Sequence, residues 1–146
     1  IEPQDLSKFD FLEKLNFKFM NYGRRSVQNH DPVLAVAYQP EQTLQDVQFF
    51  RKLLFRRYKT DFLVTLTEKE LILIQEDEAI RNNFSPAHGG VFTYIPRHRI
   101  RAVTFFSQPE ESNCIMEITL SDMSKLTCEL GKENEAVPLL QVLLGA

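Results

Sequence analysis

Apolar residues recur along the chain at two periods, and each period predicts a different element. In DLSKFDFLEKLNFKFMNYG, Leu6, Phe9, Leu12, Leu15, Phe19 and Tyr22 fall three and four residues apart, which places one apolar stripe on a helix over about residues 7–22. Ser7 with Asp10 reads as a capping start and Gly23 as a C-terminal stop, so that Arg24, Arg25 and residues 29–32 become a connector. VLAVAYQ, residues 33–39, is rich in Val and ends before Pro40, which predicts a strand. Residues 41–58 satisfy both periods. Val47, Phe50, Leu54 and Tyr58 sit at helical spacing, whereas Phe49, Phe50 and Phe55 beside basic residues suit a strand and a loop.

From Asp61 the period is two. In DFLVTLTEKELILIQ, Phe62, Val64 and Leu66 alternate with Leu63 and Thr65, Thr67 to Lys69 turn the chain, and Glu70 to Gln75 return it as a hairpin. Residues 76–90 carry turn chemistry at Ser85-Pro86 and Gly89-Gly90 and read as a long loop. Further strands are expected at Val91–Ile95, Ile100–Phe106, Cys114–Leu120 and Lys125–Leu130. KENEAVPLLQVLLG then places Ala136, Leu139, Leu140, Leu143 and Leu144 on one face of a final helix, with Pro138 tolerated in its first turn. Six or seven short antiparallel strands followed by one amphipathic helix predict a mainly β protein. The expected form is a partly open β-barrel or orthogonal sandwich, filled by side chains and closed at one end by the C-terminal helix, with the N-terminal helix added.

Register decides whether the two cysteines can meet. Putting the apolar sets of CIMEITL and KLTCEL on one face requires partners of equal parity, such as Ile118 opposite Cys128 with Asp122 to Ser124 as the loop. Cys114 then stands four residues further along, roughly 13 Å at about 3.3 Å per residue. A disulfide needs Cα atoms within about 7 Å, so buried thiols in a reducing compartment are expected.

Composition narrows this picture without naming a function. A chain of 146 residues fits one domain, and 43% hydrophobic with 25% charged residues excludes both disorder and a membrane-embedded protein. Twelve Phe and no Trp point to an aromatic core. The net charge of −3 hides an asymmetry: residues 51–101 hold ten Lys/Arg against six Asp/Glu, and residues 107–135 hold two Lys against seven acids. That excludes a globally basic nucleic-acid footprint but not a local basic patch. The chain opens at Ile1 without a signal-peptide pattern, leaving room for an upstream piece, and no apolar run approaches the length of a membrane span. A cytoplasmic protein, or one peripheral to the inner membrane face, is expected.

The order of LVTLTEKELILI, a variable loop, GGVFTYIPRHRIRAVTF, a hairpin ending in LTCEL and a terminal helix resembles the bacterial PH-like domains. The marks are Thr67 in the turn, Leu71 to Ile74, Ile95-Pro96, and Ile100 to Val103. The resemblance implies a PH-like domain over residues 33–146, preceded by the helix and connector of residues 1–32. It does not assign a function, because that fold serves many.

Two basic groups are the candidate chemistry. Arg51, Lys52, Arg56, Arg57 and Lys59 surround Phe55 and Tyr58, and Arg97, His98, Arg99 and Arg101 form a second group. Brought together they would hold phosphate or carboxylate, since guanidinium binds both with two parallel hydrogen bonds. Alternatively they are a solvated face paired with the acidic end of the domain. RKLLFRRYK does not reproduce the Lys-x-Lys/Arg-x-Arg pattern of phosphoinositide-binding PH domains. His30, His88 and His98 lack metal-ligand spacing, Glu76 to Glu78 read as a solvated run, and no nucleophile elbow or phosphate loop occurs. The expectation is therefore a non-catalytic module without cofactor or metal, which binds a protein partner or itself, with Phe9, Leu12, Leu15 and Phe19 as the oligomer contact. Binding of anionic membrane or phospholipid headgroups through the basic residues is the alternative. No nucleic acid or small-molecule substrate is expected.

Overall fold

The run LVTLTEKELILI is apolar at both strand parities because the hairpin it forms is covered on both faces. A computed structural model of the chain describes residues 5–40, 42–49, 52–59, 61–76, 90–107, 113–131 and 134–144, with backbone alone over 42–59. A 3-10 turn at Ser7–Phe9 leads into α1 (Leu12–Leu15) and α2 (Phe17–Ser26). Six strands follow: β1 (Val33–Gln39), β2 (Gln42–Phe49), β3 (Lys52–Lys59), β4 (Phe62–Thr67), β5 (Glu70–Glu76) and β6 (Gly90–Pro96). After a 3-10 turn at Arg97–Arg99 come β7 (Ile100–Ser107), β8 (Asn113–Leu120), β9 (Lys125–Gly131) and the helix α3 (Val137–Leu144).

Three antiparallel groups result: a four-stranded sheet in the order β1-β4-β5-β6, a three-stranded sheet β7-β8-β9, and the hairpin β2-β3. No ladder joins them among the described residues, so the sheets are not closed into the expected barrel. At the corner Arg97–Arg99 a turn with Arg97 N donating to Lys69 O (2.8 Å) carries the chain from the four-stranded sheet to the three-stranded one. The ambiguous residues 41–58 are strand wherever described, paired from Gln42 opposite Lys59 to Phe49 opposite Lys52 with two register shifts. Loop residues 77–89, including Ser85-Pro86 and His88, lie outside the described residues.

Side-chain parity sorts β4 and β5 between two cores. Phe62, Val64, Leu66, Leu71 and Leu73 face the three-stranded sheet and α3, joining Met116, Ile118, Leu130 and Leu140. Leu63, Ile72 and Ile74 face the other way and meet Phe9, Leu12, Phe19 and Met20 of the N-terminal helices. Burying such side chains contributes about 1.5–3 kcal/mol each, so the helices supply what would otherwise be an exposed apolar sheet face.

The N-terminal helix is not continuous. Asn16 leaves helical geometry (φ −160°, ψ 90°) and its Oδ1 accepts from Phe19 N at 3.1 Å, capping α2. Its Nδ2 donates to Asp61 Oδ2 (2.8 Å) and Tyr38 Oη (3.2 Å), tying the break to β1 and the start of β4. The expected Ser7/Asp10 cap is absent: Ser7 N donates to Asp5 Oδ1, and Asp10 pairs with Arg24 at 2.6 Å. Gly23 does not stop the helix either. It lies buried inside α2, where a Cβ would stand 2.5 Å from Phe9 Cε1, and the helix continues through Arg24 and Arg25 to Ser26.

The β8-β9 register places Met116 opposite Cys128 and Ile118 opposite Leu126, two residues from the offset expected above but with the same parity. Parity fixes which face a residue takes and leaves the turn to choose the offset. Here the turn is held by Met123 in the left-handed region (φ 71°) and by Asp122 Oδ1 accepting from Ser124 N. Cys114 and Cys128 are both buried and no disulfide joins them.

A polar knot anchors the connector to the β4-β5 turn. Asp31 is fully buried; its Oδ2 accepts from Thr67 Oγ1 (2.7 Å) and its Oδ1 from Lys69 N (3.3 Å), while Thr67 Oγ1 also accepts from Glu70 N (3.0 Å). Glu70 is 7% exposed and its Oε1 is buried with no hydrogen-bond partner. Burial, and then the charge of Asp31, push its carboxyl above the usual Glu range. The folded chain therefore binds this proton more tightly than the unfolded chain does. Stability from this group is full below the ordinary Glu value and falls as pH rises through the raised one. Asp5 and Asp122 act in the opposite sense. Their hydrogen bonds with Ser7 and Ser124 hold both below the usual Asp range, a contribution present above that range and lost on acidification through the lowered values. Glu70→Gln is expected to raise stability at neutral pH by about 1 kcal/mol and to flatten the decline from acidic to neutral pH. Urea midpoints measured across that range decide it, and an unchanged slope would show that Glu70 is not its source.

Candidate docking groove

The second basic group lies at the corner where the two sheets meet. Ile95 is buried, Pro96 pairs opposite Glu70, and Ser121 N donating to Arg99 O (2.9 Å) pins the far side of the turn. Arg101 sits in a register shift between Ile100 and Ala102, a bulge that re-aims its side chain relative to the ladder. Arg97, Ile100, Arg101, Ala102, Val103, Leu143 and Leu144 line a groove of about 260 Å³ between β7 and the end of α3.

The arginines hold weak acceptors. Arg97 Nη1 reaches Glu68 O at 3.5 Å, and Arg101 Nη1 reaches the thioether of Met123 at 3.0 Å. Among the described residues none of Arg97, Arg99 and Arg101 forms an ion pair, although Arg99 is close enough to Asp122 to help hold its carboxyl low. Arg99 and Arg101 are exposed, and the acidic end of the domain approaches this group at Asp122.

Among the described residues β7 is an edge strand, paired with β8 and with no second neighbour. From Ala102 to Ser107, alternate residues present backbone N–H and C=O away from β8. Beside it stands α3, VPLLQVLL, which has no charged residue. Val137 and Leu140 anchor the helix in the core, and Asn134 fixes its start by donating to Tyr38 O (2.8 Å) and accepting from Ala136 N (3.1 Å). On its outer side Leu139 is 45% and Val142 74% exposed. The sequence put Leu139 on the packed face; Val137 takes that place, a shift of helix phase. With Gln141 as its one polar side chain, the exposed side of VPLLQVLL is mostly apolar.

The other expected site residues are distributed differently. Lys52, Arg56, Arg57 and Lys59 lie on β3, where Arg56 takes the register position opposite Asp46; Arg51 lies outside the described residues. Phe9, Leu12 and Phe19 are fully buried against the chain's own sheet, so of the four expected oligomer contacts only Leu15, 64% exposed, remains on the surface, with Phe11 and Phe17 exposed nearby in sequence. His30 and His98 are exposed, and among the described residues no three His, Cys, Asp or Glu gather as a metal would require. No described helix is long and apolar enough to cross a membrane. No family model matches the chain, and neither a curated protein nor a solved structure does so.

Proposed function

We propose that the chain is a PH-like protein-interaction module that docks an extended segment of a partner on the β7 edge beside α3. The observation that carries this is the uncharged helix α3, whose Leu143 and Leu144 line a groove with β7, a strand with one side unpaired among the described residues. Backbone groups along such an edge are satisfied by an added strand, and the apolar helix face gives its side chains a surface to bury. The PH-like reading draws support from the two sheets and their order: β1, β4, β5 and β6 form one antiparallel sheet, interrupted after β1 by the β2-β3 hairpin, then come β7 to β9 and a C-terminal helix, with Thr67, Ile95-Pro96 and Ile100 to Val103 at the ends of β4, β6 and β7.

Selection of displayed random peptides on the purified protein is expected to enrich extended, β-branched sequences. Their binding is expected to weaken at least about tenfold in Ala102→Glu, which sets a charge in the groove wall, since the cost of meeting a charge in an apolar contact exceeds about 1.4 kcal/mol, while the melting temperature stays unchanged because Ala102 is exposed. Selection that enriches nothing, or peptides that bind the variant equally well, would remove the reading.

A further inference from the structure

We infer that the occupant of this groove is an acidic segment of a partner protein, lying antiparallel to β7 with a carboxylate at its C-terminal end. The inference rests on the docking reading above and adds charge and direction to it. Three observations carry it.

Arg97 and Arg101 both line the groove, and among the described residues their side chains hold a carbonyl at 3.5 Å and a thioether, acceptors far weaker than a carboxylate. The β7 bulge at Arg101 is the local distortion that brings this side chain into the groove wall with Arg97. The α3 helix, which forms the opposite wall, contributes leucines and no acid, leaving only the partial negative charge of its last turn to offset two guanidiniums.

Direction follows from the ladder. Every strand pair in the fold is antiparallel, and antiparallel pairing is the slightly more stable kind per residue. Because β7 runs from Ile100 to Ser107, an added antiparallel strand ends beside Ile100, where Arg97 and Arg101 stand. A side-chain carboxylate in the last residues or a free α-carboxylate fits that position equally, since both present two oxygens to a guanidinium fork. A strand, and not a headgroup, is favoured because the arginines border unpaired backbone groups that only another peptide can satisfy in register.

The test uses short random peptides immobilised in three pools: acids fixed in the last positions, acids fixed in the first positions, and glutamine in both. Retention of the whole chain is compared with that of Arg97→Gln/Arg101→Gln, and both are mixed with vesicles of phosphatidylserine and phosphatidylcholine. The wild-type chain is expected to favour the C-terminally acidic pool by about tenfold over the other two, the scale of one well-placed charge contact. The double variant is expected to lose that preference and keep its residual binding. Equal retention on all pools would overturn the acidic, directional occupant while leaving the docking reading in place. Preference for the N-terminally acidic pool would overturn the direction, and binding to vesicles that both arginines govern, with none to any pool, would overturn the inference and the docking reading together.

Discussion

Gly23→Ala is expected to lower the unfolding free energy by about 2 kcal/mol, although alanine is the better helix former by about 1 kcal/mol. The two effects differ because Gly23 is where α2 crosses the Phe9 ring. An added Cβ would stand 2.5 and 2.7 Å from two carbons of that ring and 3.0 Å from Leu63 Cδ2. Phe9 is fully buried and cannot swing clear, and Leu63 belongs to the central strand β4. Overpacking of this kind forces backbone or rotamer shifts costing typically about 1–3 kcal/mol beyond the propensity gain. Phe9→Leu shortens the side chain, so in the double variant the alanine should be tolerated, giving a favourable coupling of more than about 1 kcal/mol. Urea denaturation of the two single variants and the double variant measures this. A neutral or stabilising Gly23→Ala would mean that α2 does not approach Phe9 this closely.

Asp31→Ala is expected to cost about 3 kcal/mol, because it removes the acceptor for the Thr67 hydroxyl and the Lys69 amide, and hydrogen bonds to a charged group contribute about 1.5–3 kcal/mol each. Relief of the repulsion with Glu70 offsets part of that loss. Asp31→Asn keeps an acceptor oxygen and removes the charge, so it should cost about 1 kcal/mol and bring the Glu70 carboxyl down toward its ordinary range, with burial still holding it above. The pH dependence of the two variants separates the roles. If Asp31→Asn destabilised as much as Asp31→Ala, the charge would outweigh the geometry of the knot.

Strands were legible because their signal is local. Alternation in VLAVAYQ and in CIMEITL needs only the neighbouring residues, and seven of the nine strands among the described residues appear where that pattern placed them. Several departures depend on partners distant in sequence. Asn16 is a good N-cap residue, yet the apolar stripe runs on through it, and its further bonds go to Asp61 and Tyr38, far away in sequence. Gly23 looks like a stop until Phe9 is brought beneath it. The alternation in LVTLTEKELILI marks a hairpin, but the layer that covers its second face is a tertiary fact. At the site, the residue types of RHRIR made it a candidate for binding anions. Their lack of ion-pair partners and the unpaired side of β7 were not legible, for both depend on where the acids and the neighbouring strands end up.

The β2-β3 hairpin leaves the four-stranded sheet at Gln39 and returns at Phe62, residues that face each other in the β1-β4 ladder. The two ends of the excursion are thus clasped by the core itself. Because the entropy of closing a loop grows only slowly with its length, that arm can lengthen, shrink or change its charges over evolutionary time with little thermodynamic consequence for the register behind it. Its basic residues sit on the part of the molecule most open to such drift, in contrast to Arg97 and Arg101, which are tied to a corner that the two sheets share.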